Sequence, residues 1–272
     1  MSIITISRQY GSLGKEIAEK VASELGYKFL DKKSLESQYG KYGIPDVRFE
    51  KYDEKSPGFF EYFKSGKDRY LRYLKTAVFE NSKEGDCVIC GRGAQLMLRD
   101  IPGVIHIRFV SSMNKRIERV SETLKCDSKS AEKIIIHNDK DRSGFHKFFF
   151  EHNWKDLDLY DLVINTDNID SDSAIELIKT LNKCSCLQYT PEDLAQKLED
   201  KYIAQEVIIS LLYEHSIPID ILDVTCDKGH VVIKGTVTVE QNIEQCKEAA
   251  LKITGVKTVD PEIYFITNYM GY

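Results

Sequence analysis

One short glycine-containing loop constrains the fold of this chain more than any other feature. Residues 7–15 read Ser-Arg-Gln-Tyr-Gly-Ser-Leu-Gly-Lys, after the apolar run 3–7 and before a helical pattern over 17–25 that ends at Gly26. A strand, a glycine loop and a helix in this order point backbone N–H groups and the positive end of a helix at an anion. The segment therefore predicts a phosphate-binding loop.

The loop departs from the usual pattern G-x-x-x-x-G-K-[ST] at both ends, where Gln9 and Glu16 stand. Gly11 and Gly14 allow the backbone to approach a ligand closely, and Lys15 supplies a charge for the β- and γ-phosphates. The missing hydroxyl is the group that normally binds Mg²⁺. From this segment alone, a nucleotide site and a turn whose glycines serve only geometry both remain open.

Patterns of strand and helix alternate over residues 3–182, which predicts a parallel sheet with helices on both faces. The polar residues 40–58, with their glycines and prolines, predict a mobile loop. The predicted strands are residues 3–7, 27–30, 87–90, 104–110 and 162–165. The predicted helices are residues 17–25, 59–81, 112–124, 130–151 and 171–181.

The pattern changes near Pro191, and we place a domain boundary there. Beyond it come a helix, two strands at 219–226 and 230–237 joined by a Gly-containing turn, a helix at 239–254 and a strand at 257–266. This order predicts a small α+β (αββαβ) domain. We therefore expect two domains, residues 1–185 and 190–272.

Several segments of the first domain resemble the cytidylate kinase-like family. Residues 7–12 and 14–18 resemble its start, including an acidic residue in place of the loop hydroxyl. Residues 29–31, 88–94, 104–109, 139–142 and 160–166 resemble its later motifs in the same order. The resemblance spans residues 1–182 and implies an α/β P-loop kinase-type fold. It also implies ATP-dependent, Mg²⁺-dependent phosphorylation of a nucleoside monophosphate, with a CMP-like acceptor favoured.

The same resemblance assigns roles to individual residues. Lys15, Arg119 and Arg142 are expected to be catalytic, Asp31 and Arg92 to bind the acceptor, and Glu16 to help hold Mg²⁺. The expected nucleotide- and phosphate-binding residues are Arg8, Gly11, Ser12, Gly14, Lys15 and Glu16.

Each of these assignments has a structural alternative. Arg92 follows a strand between two glycines, so it is either a bidentate clamp on the acceptor phosphate or a surface arginine. Arg116 and Arg119 share a helical face and either reach phosphates or form a solvated charged face. Arg142 either comes from a closing lid or is one charge on an exposed helix. Asp31 either orients the acceptor or a metal-bound water, or caps the next helix.

The second domain resembles a BON domain at Gly229, Gly235 and Gly255. Such domains are associated with membrane or ligand binding. Residues 191–272 contain 14 Asp and Glu, 7 Lys and no Arg, a net charge of −7. Because so acidic a surface is repelled by anionic lipid, membrane contact is not expected. We expect a regulatory or oligomerising role instead.

Composition limits which partners, locations and functions the chain can have. The net charge of −5 gives no reason to expect a nucleic-acid partner, and no apolar run is long enough to span a bilayer. The seven scattered cysteines indicate a reducing, cytoplasmic compartment. Cys87 and Cys90 have the spacing of a redox or zinc pair, although a buried strand explains them better. Two other functions stay open: a nucleotide-binding sensor without turnover, and a kinase for another small metabolite.

Overall fold

The computed structural model describes residues 1–37, 64–184 and 190–267. It divides into two compact units: Met1–Leu71 with Gly85–Thr190, and Arg72–Glu84 with Pro191–Tyr272. The loop expected at 40–58 lies outside the described residues. The domain limits 1–185 and 190–272 remain predictions, and Arg72–Glu84 joins the second unit although it precedes the expected boundary.

The first unit contains a five-stranded parallel sheet, as the sequence predicts, and the structure gives its strand order as β2-β3-β1-β4-β5. Helices cover the sheet, so its central strands are buried and appear in the sequence as nearly continuous apolar runs. The strands are β1 Ile3–Arg8, β2 Lys28–Leu30, β3 Cys87–Cys90, β4 Val104–Val110 and β5 Leu162–Asn165.

Seven helices belong wholly or partly to this unit within the described residues. The five-residue α2 and four-residue α4 were not expected, because segments this short carry no helical periodicity. The helix predicted over 130–151 begins two residues earlier, since Asp127 caps it by accepting the Ser130 N–H. The helices are α1 Gly14–Leu25, α2 Lys32–Glu36, α3 Lys64–Lys83, α4 Ala94–Met97, α5 Met113–Leu124, α6 Ser128–Phe150 and α7 Ser171–Asn182.

The apolar core of the first unit fixes the strand that leads into the phosphate loop. Side chains from one face of the sheet, including Ile6 and Phe109, pack against Ile17 and Val21 of α1 and Ile178 of α7. All five side chains are almost completely buried. Burial of side chains this size contributes about 1.5–3 kcal/mol each, so the strand end and the start of α1 are held firmly.

The second unit contains a three-stranded sheet of order β6-β7-β8, with β6 antiparallel and β8 parallel to β7. Together with α8 and α9 this confirms the αββαβ arrangement. Lys228 and Gly229 have φ of 51° and 85°, the left-handed pair that a tight hairpin turn requires. The elements are α8 Pro191–Ile209, a π-helical turn Ser210–Glu214, β6 Asp220–Asp227, β7 His230–Val237, α9 Gln241–Leu251 and β8 Thr258–Phe265.

None of the helices in the described part of the chain is long and apolar enough to cross a bilayer.

Candidate functional site

A cavity of ≈ 250 Å³ opens at the carboxyl end of β1, where ligands bind in sheets of this kind. It is bounded by the loop between β1 and α1 and by residues of α5 and α6. Four cationic side chains and one carboxylate face it, so it carries an excess of positive charge. The charged lining residues are Arg8, Lys15, Glu16, Arg119 and Arg142.

The loop backbone has the form of an anion-binding nest. Gly11 and Leu13 have φ of 76° and 61°, and they alternate with Ser12 and Gly14. Alternating backbone conformations of this kind make successive N–H groups converge on one concavity. A Cβ added to Gly14 would lie 2.5 Å from the Cβ of Arg8, so the start of α1 packs directly on β1 and only glycine fits there.

Side chains outside the loop hold several of its carbonyl groups. Arg142 Nη1 donates to the carbonyl of Arg8 over 2.9 Å, and Thr166 Oγ1 donates to the carbonyl of Ser12 over 3.1 Å. Arg119 Nη1 lies 3.4 Å from the carbonyl of Gly11. These contacts hold the loop in its nest-like conformation.

Lys15 is exposed at the cavity and lies between two carboxylates. Its Nζ is 3.7 Å from Asp31 Oδ2 and 3.6 Å from Glu19 Oε1. Burial raises the pKa of Asp31, but hydrogen bonds from Ser34 and the charge of Lys15 outweigh it and leave the pKa below its ordinary value. Asp31 also caps α2, so the capping interpretation is confirmed. Its role toward an acceptor stays a prediction.

Arg92 is not a surface arginine, and that alternative is wrong. It has φ of 55° between Gly91 and Gly93 and is 2% exposed. Its Nη2 lies 3.0 Å from Glu36 Oε1, and its guanidinium lies 5.1 Å from the centre of the Phe145 ring. The ion pair with Glu36 fixes the guanidinium of Arg92 just beyond the end of β3, and its role as an acceptor clamp stays a prediction.

The three helical arginines all have partners, and the interpretation of a solvated or exposed charge is wrong for Arg116 and Arg142, which are buried, whereas Arg119 is half-buried. Arg119 donates to the carbonyl of Thr166 over 2.6 Å while lining the cavity. Arg142 is buried and its guanidinium lies 5.6 Å from the centre of the Tyr10 ring. Arg116 is also buried, does not line the cavity and binds Asp139 Oδ2 over 2.5 Å.

The structure adds two residues that the sequence interpretation gave no role. Gln9 Oε1 accepts the Ser111 N–H over 2.9 Å and so ties the loop to the end of β4. Thr166, the residue after β5, links the end of that strand to the loop through its hydrogen bond to the carbonyl of Ser12. Gln9 offered a signal, because it replaces the first glycine of the usual motif. Thr166 offered none beyond its place in the last motif.

Cys90 lies at the carboxyl end of β3 and is buried. Burial raises the pKa of its thiol, although the nearby charges of Arg8, Arg142 and Lys15 act in the opposite direction. A neutral thiol is therefore expected. Cys87 lies three positions earlier in the strand, so the two side chains point to opposite faces and the interpretation as a redox or zinc pair fails.

Among the described residues, no group of three or more His, Cys, Asp and Glu side chains is arranged to hold a metal.

A parallel sheet of this order, with a glycine loop between β1 and α1 and arginines converging on it, defines the P-loop kinase type of fold. The chain belongs to the cytidylate kinase-like family, whose model matches residues 3–168, more than half of its length. A BON domain model matches residues 199–265.

The individual relatives and solved structures that resemble this chain do not identify its substrate. An uncharacterized protein from Eubacterium ventriosum ATCC 27560 superposes with a TM-score of 0.53 at 24% identity, over 67% of this chain and 98% of that one, which supports the fold alone. Shikimate kinase from Bacteroides thetaiotaomicron gives a TM-score of 0.40 at 14% identity, over 67% and 99% of the two chains, too low to bear on the substrate. A uronate isomerase from Corynebacterium glutamicum is 30% identical over 91 residues, 34% of this chain, and the chain spans only 18% of that protein.

Proposed function

We propose that this protein transfers the γ-phosphoryl group of ATP to a nucleoside monophosphate, with a CMP-like acceptor. The observation that carries the proposal is the excess of cationic side chains around a glycine-loop cavity in a chain of this family. Phosphoryl transfer needs little covalent chemistry from the protein, because positioning and charge neutralisation provide most of the catalysis. The arrangement of Arg8, Lys15, Arg119 and Arg142 suits that task.

Lys15 is the residue proposed to contact the β- and γ-phosphates, since its ammonium is exposed at the mouth of the loop. The N–H groups around Gly11, Ser12 and Gly14 bind phosphate oxygens. Arg142 stabilises the charge that develops on the transferred group. An arginine in this role is worth about 10³–10⁵ in rate.

Glu16 is the proposed protein ligand for Mg²⁺. It lines the cavity at the position where the usual motif has a hydroxyl. Mg²⁺ usually keeps several waters and binds one or two carboxylates together with substrate phosphates. A single protein carboxylate at this position is consistent with that coordination. When bound, the ion neutralises charge on the phosphate oxygens.

Arg92 and Asp31 form the proposed acceptor site at the ends of β3 and β2. Arg92 pairs with Glu36 in this structure, so an acceptor phosphate has to compete with that carboxylate. A guanidinium binds phosphate in a bidentate manner, which favours Arg92 over a lysine in this place.

The test is a turnover assay with ATP, Mg²⁺ and a panel of acceptors containing CMP, dCMP, UMP, AMP and small hydroxylated metabolites. Lys15→Ala should abolish transfer without unfolding the chain, because the side chain is exposed. Lys20→Ala is the matched control, since Lys20 is an exposed lysine of α1 outside the cavity. If the enzyme phosphorylates one of the metabolites and none of the nucleoside monophosphates, then the proposed acceptor is wrong and the metabolite takes its place. ATP binding without any turnover would favour a sensor.

For the second unit we propose a regulatory or assembling role in a cytoplasmic enzyme. Ile221 and Tyr264, on its two outer strands, are 86% and 71% exposed, and apolar groups on strand edges favour contact with another chain. Light scattering of the full chain over a range of concentrations checks this. A monomer at all concentrations, with kinetics unaffected by Tyr264→Lys, would contradict the assembling role.

A further inference from the structure

Both backbone polar groups of Tyr10, at the start of the phosphate loop, contact side chains of other elements. Its N–H donates to Asp139 Oδ1 over 2.8 Å, and its carbonyl lies 3.4 Å from Arg116 Nη1. The two side chains that make these contacts bind each other over 2.5 Å. We propose that the Arg116–Asp139 ion pair is a positioning clamp for the phosphate loop, an inference that rests on the proposed function.

The pair is built into the interior of the first unit. The side chains of Arg116 and Asp139 are 6% and 19% exposed, and they come from different helices, α5 and α6. Surface ion pairs between mobile side chains contribute little, whereas a largely buried pair is held in a defined geometry by the groups packed around it. The clamp therefore ties the loop to both helices at one residue.

The loop needs such a restraint because its conformation is not the one its sequence prefers. Leu13 adopts a left-handed conformation that is unfavourable for a leucine. Gly11 packs against α5 so closely that an added Cβ would lie 2.9 Å from Val120 Cγ2 and 3.3 Å from the Cβ of Arg116. External contacts must hold this arrangement when no phosphate is present.

The clamp also sets the position of a proposed catalytic group. Asp139 lies one helical turn before Arg142, and Asp139 Oδ1 is 4.0 Å from Arg142 Nη1. The carboxylate thus contacts the loop and approaches the arginine that binds the carbonyl of Arg8. Loss of the clamp should affect the binding of ATP and the rate of transfer more than the binding of the acceptor.

The experiment compares Asp139→Ala, Asp139→Asn and the double variant Asp139→Ala with Arg116→Met in the full chain. The double variant guards against unfolding, because it leaves no unpaired buried charge. Glu118→Gln is the control, since Glu118 forms an exposed ion pair with Lys115 on the same helix. The readouts are hydrogen exchange and chemical shift of the Tyr10 amide, affinity for a non-hydrolysable ATP analogue, kcat, and KM for the acceptor.

We expect the Tyr10 amide to lose protection in Asp139→Ala and in the double variant, and to keep most of it in Asp139→Asn, whose amide oxygen still accepts. Loss of a hydrogen bond to a charged group should weaken the binding of the analogue by about 10-fold or more, with an unchanged acceptor KM. The control should match the wild type.

An unchanged Tyr10 amide in Asp139→Ala would overturn the proposal. So would a uniform loss of all kinetic parameters in proportion to the folded fraction, which indicates a merely structural pair. If the wild type binds no ATP and transfers no phosphoryl group, the proposed function fails. The amide measurements still decide whether the clamp exists.

Discussion

Replacing Gly91 with alanine tests whether Arg8 acts at the cavity. Gly91 follows β3 with φ of 91°, and a Cβ added there would lie 2.4 Å from Arg8 Nη1. The guanidinium of Arg8 therefore rests directly on the glycine. Because the clash involves the end of a flexible side chain, Arg8 can move aside without unfolding the strand, but it then leaves the place from which it lines the cavity.

The substitution is expected to have two separate effects, a loss of stability and a loss of activity. An alanine at a left-handed φ costs about 1–2 kcal/mol. Gly26 provides the control for this cost, because its φ is 70° and an added Cβ would meet nothing within 4 Å. Both variants should lose about the same stability. Only Gly91→Ala should also lose a charge-assisted contact to phosphate, worth about 1.5–3 kcal/mol, or about 10–100-fold in kcat/KM.

The assay combines urea unfolding of both variants with steady-state kinetics under conditions where each is fully folded. If Gly91→Ala and Gly26→Ala show the same kcat/KM, then displacement of Arg8 does not matter and its assignment to phosphate binding is refuted. A much larger loss of stability in Gly91→Ala would show instead that Arg8 cannot move aside.

Three further predictions concern Glu16, the pair Arg92 and Arg142, and Glu206. Glu16→Gln should require more Mg²⁺ for half-maximal activity, and an unchanged metal titration would reduce Glu16 to a helix-start residue. Arg92→Lys should mainly raise the KM of the acceptor, whereas Arg142→Ala should mainly lower kcat; the opposite pattern in steady-state kinetics would reverse the two roles. Burial, with the charges of Glu80 and Glu214, raises the pKa of Glu206 from 4.5 to about 7. The folded state then binds the extra proton between these values, so stability should fall as pH rises through this range. After allowance for partial exposure the fall is about 1–2 kcal/mol, and pH-dependent urea unfolding of Glu206→Gln should show a smaller one.

The sequence by itself determined the order of the strands and longer helices and the place of the candidate site. Apolar runs of strand length separated by helical patterns are local signals, so the five parallel strands appear within a residue or two of their predicted limits. The loop from Gln9 to Lys15 and the turn at Gly229 are equally local, because glycine and left-handed backbone conformations go together. The resemblance to the family rested on the same short segments.

Only the tertiary structure decided which groups the arginines contact. Arg116 and Asp139 are 23 positions apart, and nothing in either helix indicates that they meet at the backbone of Tyr10. Arg92 looks the same in sequence whether it is exposed or buried against Glu36. The grouping of Arg72–Glu84 with the C-terminal unit is equally invisible in a helical pattern. These features depend on contacts between distant segments, and periodicity records only which face of an element is apolar, not what will cover it.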